Sequence, residues 1–199
     1  ERRRSAGAAS SNLETLVIGR TEVDREDIRP LLAEPWERRQ TEEAGSKLPG
    51  LRVTFLGGFR VWRGNYRLWS WPSGKAKSLF KYLVANRGRR VAKDQLIEVL
   101  WPECEPGAAS ANLKAAAHLL RRTLGIGLDG VDTGIVSRCL YVVFADGTYA
   151  IDPRVSMWVD AEEFERLWVE GRRLERGGKE AEAARTYEVA EALYQGDYM

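Results

Sequence analysis

The stretch Ala111-Asn-Leu-Lys-Ala-Ala-Ala-His-Leu-Leu-Arg-Arg-Thr-Leu124 decides how this chain is read. A helix turns 100° per residue. With Leu113 as origin, Leu113, Ala117, Leu120 and Leu124 fall within one narrow arc, which is a core-facing stripe. Ser110, Lys114, His118 and Arg121 fall on one flank, and Asn112, Ala116 and Leu119 on the other. Ala111, Ala115 and Arg122 lie opposite the core. Small side chains let a helix axis approach base edges in a major groove about 12 Å wide, while long cations reach phosphates. An ordinary surface helix also carries alanines for propensity and basic residues near its C-terminus. The neighbouring elements therefore have to choose between the two readings.

Upstream, the pattern starts at period two. Leu51, Val53 and Phe55 alternate with Arg52 and Thr54, and Phe59 and Val61 resume after Gly57-Gly58. Arg63-Gly64-Asn65 reads as a turn before Tyr66 and Leu68, giving a small antiparallel sheet with one buried face. After Pro72, helical spacing sets in with Ala76, Leu79, Phe80, Leu83 and Val84, ending near Asn86 to Gly88. A second helix is expected from about Lys93 to Leu100, stopped at Trp101-Pro102, and a third from about Ala108 to Leu124. Residues 126–139 read as irregular. Leu140–Phe144 and Thr148–Ile151 read as two strands around Asp146-Gly147, a strong two-residue hairpin signal. Sheet, three helices and hairpin, in that order, predict an α+β winged helix-turn-helix over residues 51–152 with an N-terminal antiparallel sheet.

Residues 1–50 read as a linker or the tail of an upstream region. Residues 153–199 predict a helical hairpin. Asp160 to Arg176 carries Phe164, Leu167, Trp168 and Leu174, and Lys179 to Tyr194 carries Ala183, Ala184, Tyr187, Ala190 and Leu193. Its length and small residues suggest one TPR-like unit. One unit cannot bury its own face, so either the winged helix or further chain must cover it.

Charge is distributed unevenly. Residues 51–151 hold 15 Lys/Arg against 7 Asp/Glu, whereas 152–199 hold 7 against 12 and 1–50 hold 9 against 10. A basic middle third between acidic flanks suits contact with a polyanion. Lys75, Lys77, Lys81, Arg87, Arg89, Arg90 and Lys93 add to it, and Lys75 near a helix start is placed to hold a phosphate with free backbone N–H groups. No apolar run is long enough to span a bilayer, no signal peptide is visible, and the expected location is cytoplasmic. Cys104 and Cys139 lack metal spacing and fit a reducing compartment, though a single bridge between them is conceivable. His118 is the only histidine, so multi-histidine metal sites are excluded and no catalytic constellation forms. Ser73-Gly-Lys-Ala76 falls short of a phosphate loop, because Trp69 stands where the first Gly is required and Ala76 where Ser/Thr is required. No enzyme, cofactor or metal is expected.

Residues 51–199 resemble the SARP-type (antibiotic regulatory protein) bacterial transcriptional activators. These join an OmpR/PhoB-like winged helix to a TPR-like bacterial transcriptional activator domain. The resemblance rests on ordered blocks: Leu51-Arg-Val-Thr-Phe-Leu-Gly-Gly-Phe59, Gly74-Lys-Ala-Lys-Ser-Leu-Phe-Lys-Tyr-Leu83 and Asp94-Gln-Leu-Ile-Glu-Val-Leu-Trp-Pro102. Ala111-Asn-Leu-Lys114, Leu120-Arg-Arg-Thr-Leu-Gly125, Val159-Asp160 with Phe164, and Ala192-Leu-Tyr-Gln-Gly-Asp197 continue it. It implies double-stranded promoter DNA as partner, pairing on direct repeats, and recruitment of RNA polymerase. By position it puts Trp101, Asn112, Lys114, Ala115, His118, Arg121 and Arg122 on the DNA-facing loop and helix. Lys75 falls at the start of the first helix, and Thr148 and Tyr149 on the wing. The chain departs at Leu119, where similar proteins usually have Arg, and at Asp146, an acid on the wing tip. Those departures carry the alternative, a winged-helix and TPR-like interaction module whose sequence-specific DNA binding has decayed.

Overall fold

The computed structural model describes residues 49–125, 141–196 and 198. Alternation in the first strands becomes a sheet because one face of each is apolar. β1 (Leu51–Thr54), β2 (Arg60–Arg63) and β3 (Tyr66–Leu68) form an antiparallel meander, with Leu51 opposite Arg63 and Val61 opposite Leu68. Its inner-face residues Leu51, Val53 and Val61 are fully buried. The β1–β2 turn is a close approach as well as a reversal. Gly57 has φ +79°, and a Cβ there would lie 2.6 Å from the backbone of Gln195. The end of the chain passes over this turn, where Leu56 and Tyr198 make an antiparallel bridge and Tyr198 stacks on Phe55 at 5.3 Å.

The helices follow the expected stripes. α1 (Gly74–Ala85) starts at Ser73, whose hydroxyl accepts from Ala76 N–H, and buries Ala76, Leu79, Phe80, Leu83 and Val84. A short β4 (Val91–Ala92) leads into α2 (Lys93–Leu100), which buries Leu96 and Leu100. α3 (Pro106–Gly125) buries the expected Leu113, Ala117, Leu120 and Leu124, together with Ala109, Ala116 and Thr123. Buried Arg63 on β2 donates to Leu124 O at 2.7 Å, placing a cation at the C-terminus of α3 where the helix dipole favours it.

β5 (Val142–Ala145) and β6 (Thr148–Ile151) form the hairpin expected at Asp146-Gly147. Both turn residues have positive φ, 51° and 72°, as a type I′ turn requires. β4 pairs with β6, so the wing is a three-stranded sheet, and Lys93 N–H closes it by donating to Gly147 O at 2.9 Å. The irregular stretch expected at residues 126–139 lies outside the described residues, as does Cys139; Cys104 is exposed.

β7 (Met157–Val159) was not read from the sequence. It pairs in parallel with β1, giving the order β3-β2-β1-β7, so the N-terminal sheet is mixed rather than purely antiparallel. All three of its residues are buried. Met157 and Val159 join the core on the inner face, and Trp158 joins a second cluster on the outer face with Leu56, Leu167, Ala190 and Leu193. That second cluster covers the helical hairpin of α4 (Asp160–Arg176) and α5 (Glu180–Leu193). The winged helix therefore covers part of the hairpin's apolar surface, while Trp168 and Val169 stay exposed. Between the two helices, Gly171 lies beneath the Tyr187 ring, where a Cβ would clash with the ring edge.

Two carboxylates hold this junction. Asp152 accepts from the backbone N–H and guanidinium of Arg154, which holds its carboxyl below the usual range, and fixes the turn into β7. Asp160, 2% exposed, accepts from the N–H groups of Phe55, Leu56 and Ala161 at 2.8–2.9 Å. Burial pushes its carboxyl up, and these backbone donors oppose that shift. Replacing Asp160 with Ala strands two loop amides at about 1–3 kcal/mol each. The expected loss is about 2–6 kcal/mol in a urea titration; a loss below about 0.5 kcal/mol would mean the amides are satisfied elsewhere.

Candidate nucleic-acid interface

The exposed side of α3 is built by exclusion. Its apolar stripe is spent on the core, and the 20 residues of the helix include no acid. Ala111, Asn112, Lys114, Ala115, His118 and Arg122 are all exposed, as the helical geometry predicts. Ala111 and Ala115 form a low surface between Lys114, His118 and Arg122, and Asn112 stands at its edge. The acids of the α2–α3 loop, Glu103 and Glu105, precede the helix start.

Arg121 is only half exposed. Its Nε donates to Val142 O at 2.9 Å, fastening the last turns of α3 to the first residue of β5. That bond ties the C-terminal part of α3 to the base of the wing hairpin. Arg121 is thus a positioning residue as well as a cation.

Three expected contact residues are placed differently from the sequence expectation. Trp101 is not on an exposed loop: it is 8% exposed, packs in the main core, and ends α2 with its N–H donated to Ile97 O. Lys75 sits at the start of α1 as expected, but its ammonium donates to Leu100 O and lies 5.5 Å from the Trp101 ring. An unpaired carbonyl at the end of α2 attracts the cation that the sequence assigned to a phosphate. Tyr149 is on the wing but 4% exposed, with its ring 4.5 Å from Phe144; burial pushes its phenol up. Inward alternation along β6 puts Tyr149 in the core and leaves Thr148 on the outside.

Thr148 identifies a residue that the sequence did not place here. Its hydroxyl accepts from Arg90 Nε at 2.9 Å and donates to Ala145 O at 2.7 Å. Arg90 also donates to Ala145 O at 3.1 Å and lies 3.9 Å from Asp146. The acid at the wing tip is therefore answered by an arginine from the preceding loop, with Arg89 exposed beside it. Leu119 has a similar structural reason, because it packs partly against the main core. The signal for Arg90 was its position just before β4, but two strand residues are too few to show periodicity.

No helix among the described residues is long and apolar enough to cross a membrane, and no group of His, Cys, Asp or Glu there has the makings of a metal site.

Comparison with known proteins agrees with this architecture. No family model matches the chain. The regulatory protein AfsR of Streptomyces griseus is 34% identical over 103 residues, covering 52% of this chain and 10% of that protein. The solved structure of Mycobacterium tuberculosis EmbR in complex with a low-affinity phosphopeptide matches with a TM-score of 0.61 and 24% identity. That match covers 75% of this chain and 37% of EmbR. The chain thus spans a tenth of one relative and little more than a third of the other. The resemblance to SARP-type regulators holds as a distant homology, and the fold is a winged helix followed by a helical hairpin.

Arg90→Ala tests the wing assignment. Its ion pair is exposed, so global stability should fall by less than about 1 kcal/mol. Amide exchange at Gly147 and Thr148 should quicken several-fold; unchanged exchange would show that Arg90 does not hold the turn.

Proposed function

We propose that this chain is a DNA-binding part of a transcriptional regulator, an activator by its resemblance. α3 enters the major groove of double-stranded DNA and the wing lies along the adjacent backbone. One observation carries the reading: an acid-free helix exposes Ala111 and Ala115 between Lys114, His118 and Arg122, and Arg121 fastens it to a wing edged by Arg90. Positive side chains attract phosphates before any base is read. The alanines then allow close approach, and Asn112 has the donor and acceptor needed for an adenine edge. Lys114, Arg122 and Arg90 act mainly on phosphates. Thr148, whose hydroxyl is engaged by Arg90 and Ala145, holds the wing turn more than it reads sequence.

The distant relation to AfsR supports a regulator rather than an enzyme. Recruitment of RNA polymerase and pairing on direct repeats rest on the family resemblance and belong to the same proposal.

Fluorescence anisotropy against duplex DNA at graded salt tests it. Affinity should fall linearly on a log–log plot, with a slope of about −0.9 per phosphate neutralised. Replacing both Lys114 and Arg122 with Ala should make that slope shallower by about 2 and weaken binding to all sequences alike. Asn112→Ala should instead relax preference at one base pair, by about 1–3 kcal/mol. Absence of any duplex binding at low salt sinks the proposal.

A further inference from the structure

The outer face of the N-terminal sheet carries a second constellation. In register across its four strands stand Trp158 on β7, Arg52 on β1, Trp62 on β2 and Arg67 on β3. The Arg52 guanidinium lies 4.2 Å from the Trp62 ring centre, and Arg67 lies 5.6 Å from Trp62 and 3.9 Å from Trp69. Trp69, at the open end of this ladder, is 73% exposed. The other end runs under the helical hairpin, where a groove of about 290 Å³ opens between the sheet and the end of α5.

We propose that this groove binds an oxyanion, a carboxylate or phosphate group, received by the Arg52 guanidinium and the Trp158 indole N–H. Both side chains line the groove, and both Arg52 Nε and Trp158 Nε1 are buried without a hydrogen-bond acceptor among the described residues. They come from directly paired positions on adjacent strands, which puts both side chains on the same face of the sheet. Buried N–H groups are nearly always paired, so two orphaned donors in one groove call for an acceptor there. Trp158 itself is 5% exposed.

The charge balance selects an anion. Arg52 and Arg60 both line the groove, and burial lowers the Arg52 pKa, a cost that an anion would relieve. Among the described residues the one acid on the lining is Asp160, whose oxygens already accept from Phe55, Leu56 and Ala161. Leu56 and Leu193 give the groove an apolar wall, which suits an anion carried on an organic body. Two guanidiniums lie over the Trp62 ring, so the ladder presents cations beside that ring. The groove lies on the opposite side of the sheet from the core that supports α3. Its occupancy and DNA binding therefore stand or fall separately.

The test is a titration of the 15N-labelled chain, following the Trp158 indole N–H and Arg52 Nε–H signals. Trp158→Phe assigns the first and Arg52→Lys the second. The three probes are inorganic phosphate, glutarate and a hexaglutamate peptide. At least one should move both signals downfield to saturation. Arg52→Lys, which keeps the charge but loses Nε–H, should weaken that binding tenfold or more. Arg67→Lys, on the same ladder outside the groove, should change it less than twofold. If Arg52→Lys loses its dispersed spectrum, Trp158→Phe carries the test, with at least a threefold loss expected.

No saturable shift with any probe overturns the proposal, as does wild-type affinity in folded Arg52→Lys or Trp158→Phe. The probes separate the sources of the anion. Peptide binding over tenfold tighter than glutarate or phosphate assigns the carboxylate to an acidic segment of a partner protein. Small anions binding as tightly as the peptide assign it to a free metabolite-sized ligand.

Discussion

The fold depends on three residues, Met157 to Val159, inserted in parallel beside β1. A parallel strand has no short connection to its partner and must return across the domain. Here the intervening chain contains all three helices and the wing, so forming β7 closes the whole winged helix on itself. It also sets the start of the helical hairpin. Val159 ends the strand, Asp160 begins α4, and the Asp160 carboxylate holds the amides of the β1–β2 loop. Inner-face residues of the strand belong to one core and Trp158 to the other. The helical hairpin is thereby built on the sheet rather than tethered to it.

A second theme is the use of long cations on backbone carbonyls. Arg63 reaches Leu124 O, Lys75 reaches Leu100 O, Arg121 reaches Val142 O and Arg87 reaches Met157 O. Leu124 and Leu100 lie at helix ends and Val142 and Met157 on edge strands, where carbonyls lack backbone partners. Part of the positive charge in residues 51–151 therefore maintains the scaffold. Lys114 and Arg122 on the outward side of α3, with Arg89 and Arg90 beside the wing, remain exposed. The Arg90–Thr148–Ala145 arrangement shows the two uses meeting, because the same guanidinium that shapes the turn also places a cation at its tip.

The sheet's outer face obeys the same physics with a different outcome. Alternation that sends Leu51, Val53 and Val61 inward sends Arg52 and Trp62 outward, and pairing between strands turns that into a row of alternating rings and guanidiniums. No single strand contains the pattern.

The sequence by itself determined the elements whose evidence is local. The stripes of α1, α2 and α3, the first three strands, the Asp146-Gly147 turn and the two final helices each repeat a period over enough residues to be read. The exposed candidates on α3, from Asn112 to Arg122, were legible for the same reason, since a helix that buries Leu113 and Leu120 must expose Ala115 and Arg122. Tertiary structure alone decided the rest. β7 has no alternation to display, because both of its faces are buried. The burial of Trp101 and Tyr149 and the bond from Lys75 to Leu100 O depend on what packs nearby, not on position along the chain. Arg90 reached the wing, and Arg52 reached Trp158, only through pairing between segments more than fifty residues apart. Periodicity records which way a side chain faces; only the folded chain settles what it meets there.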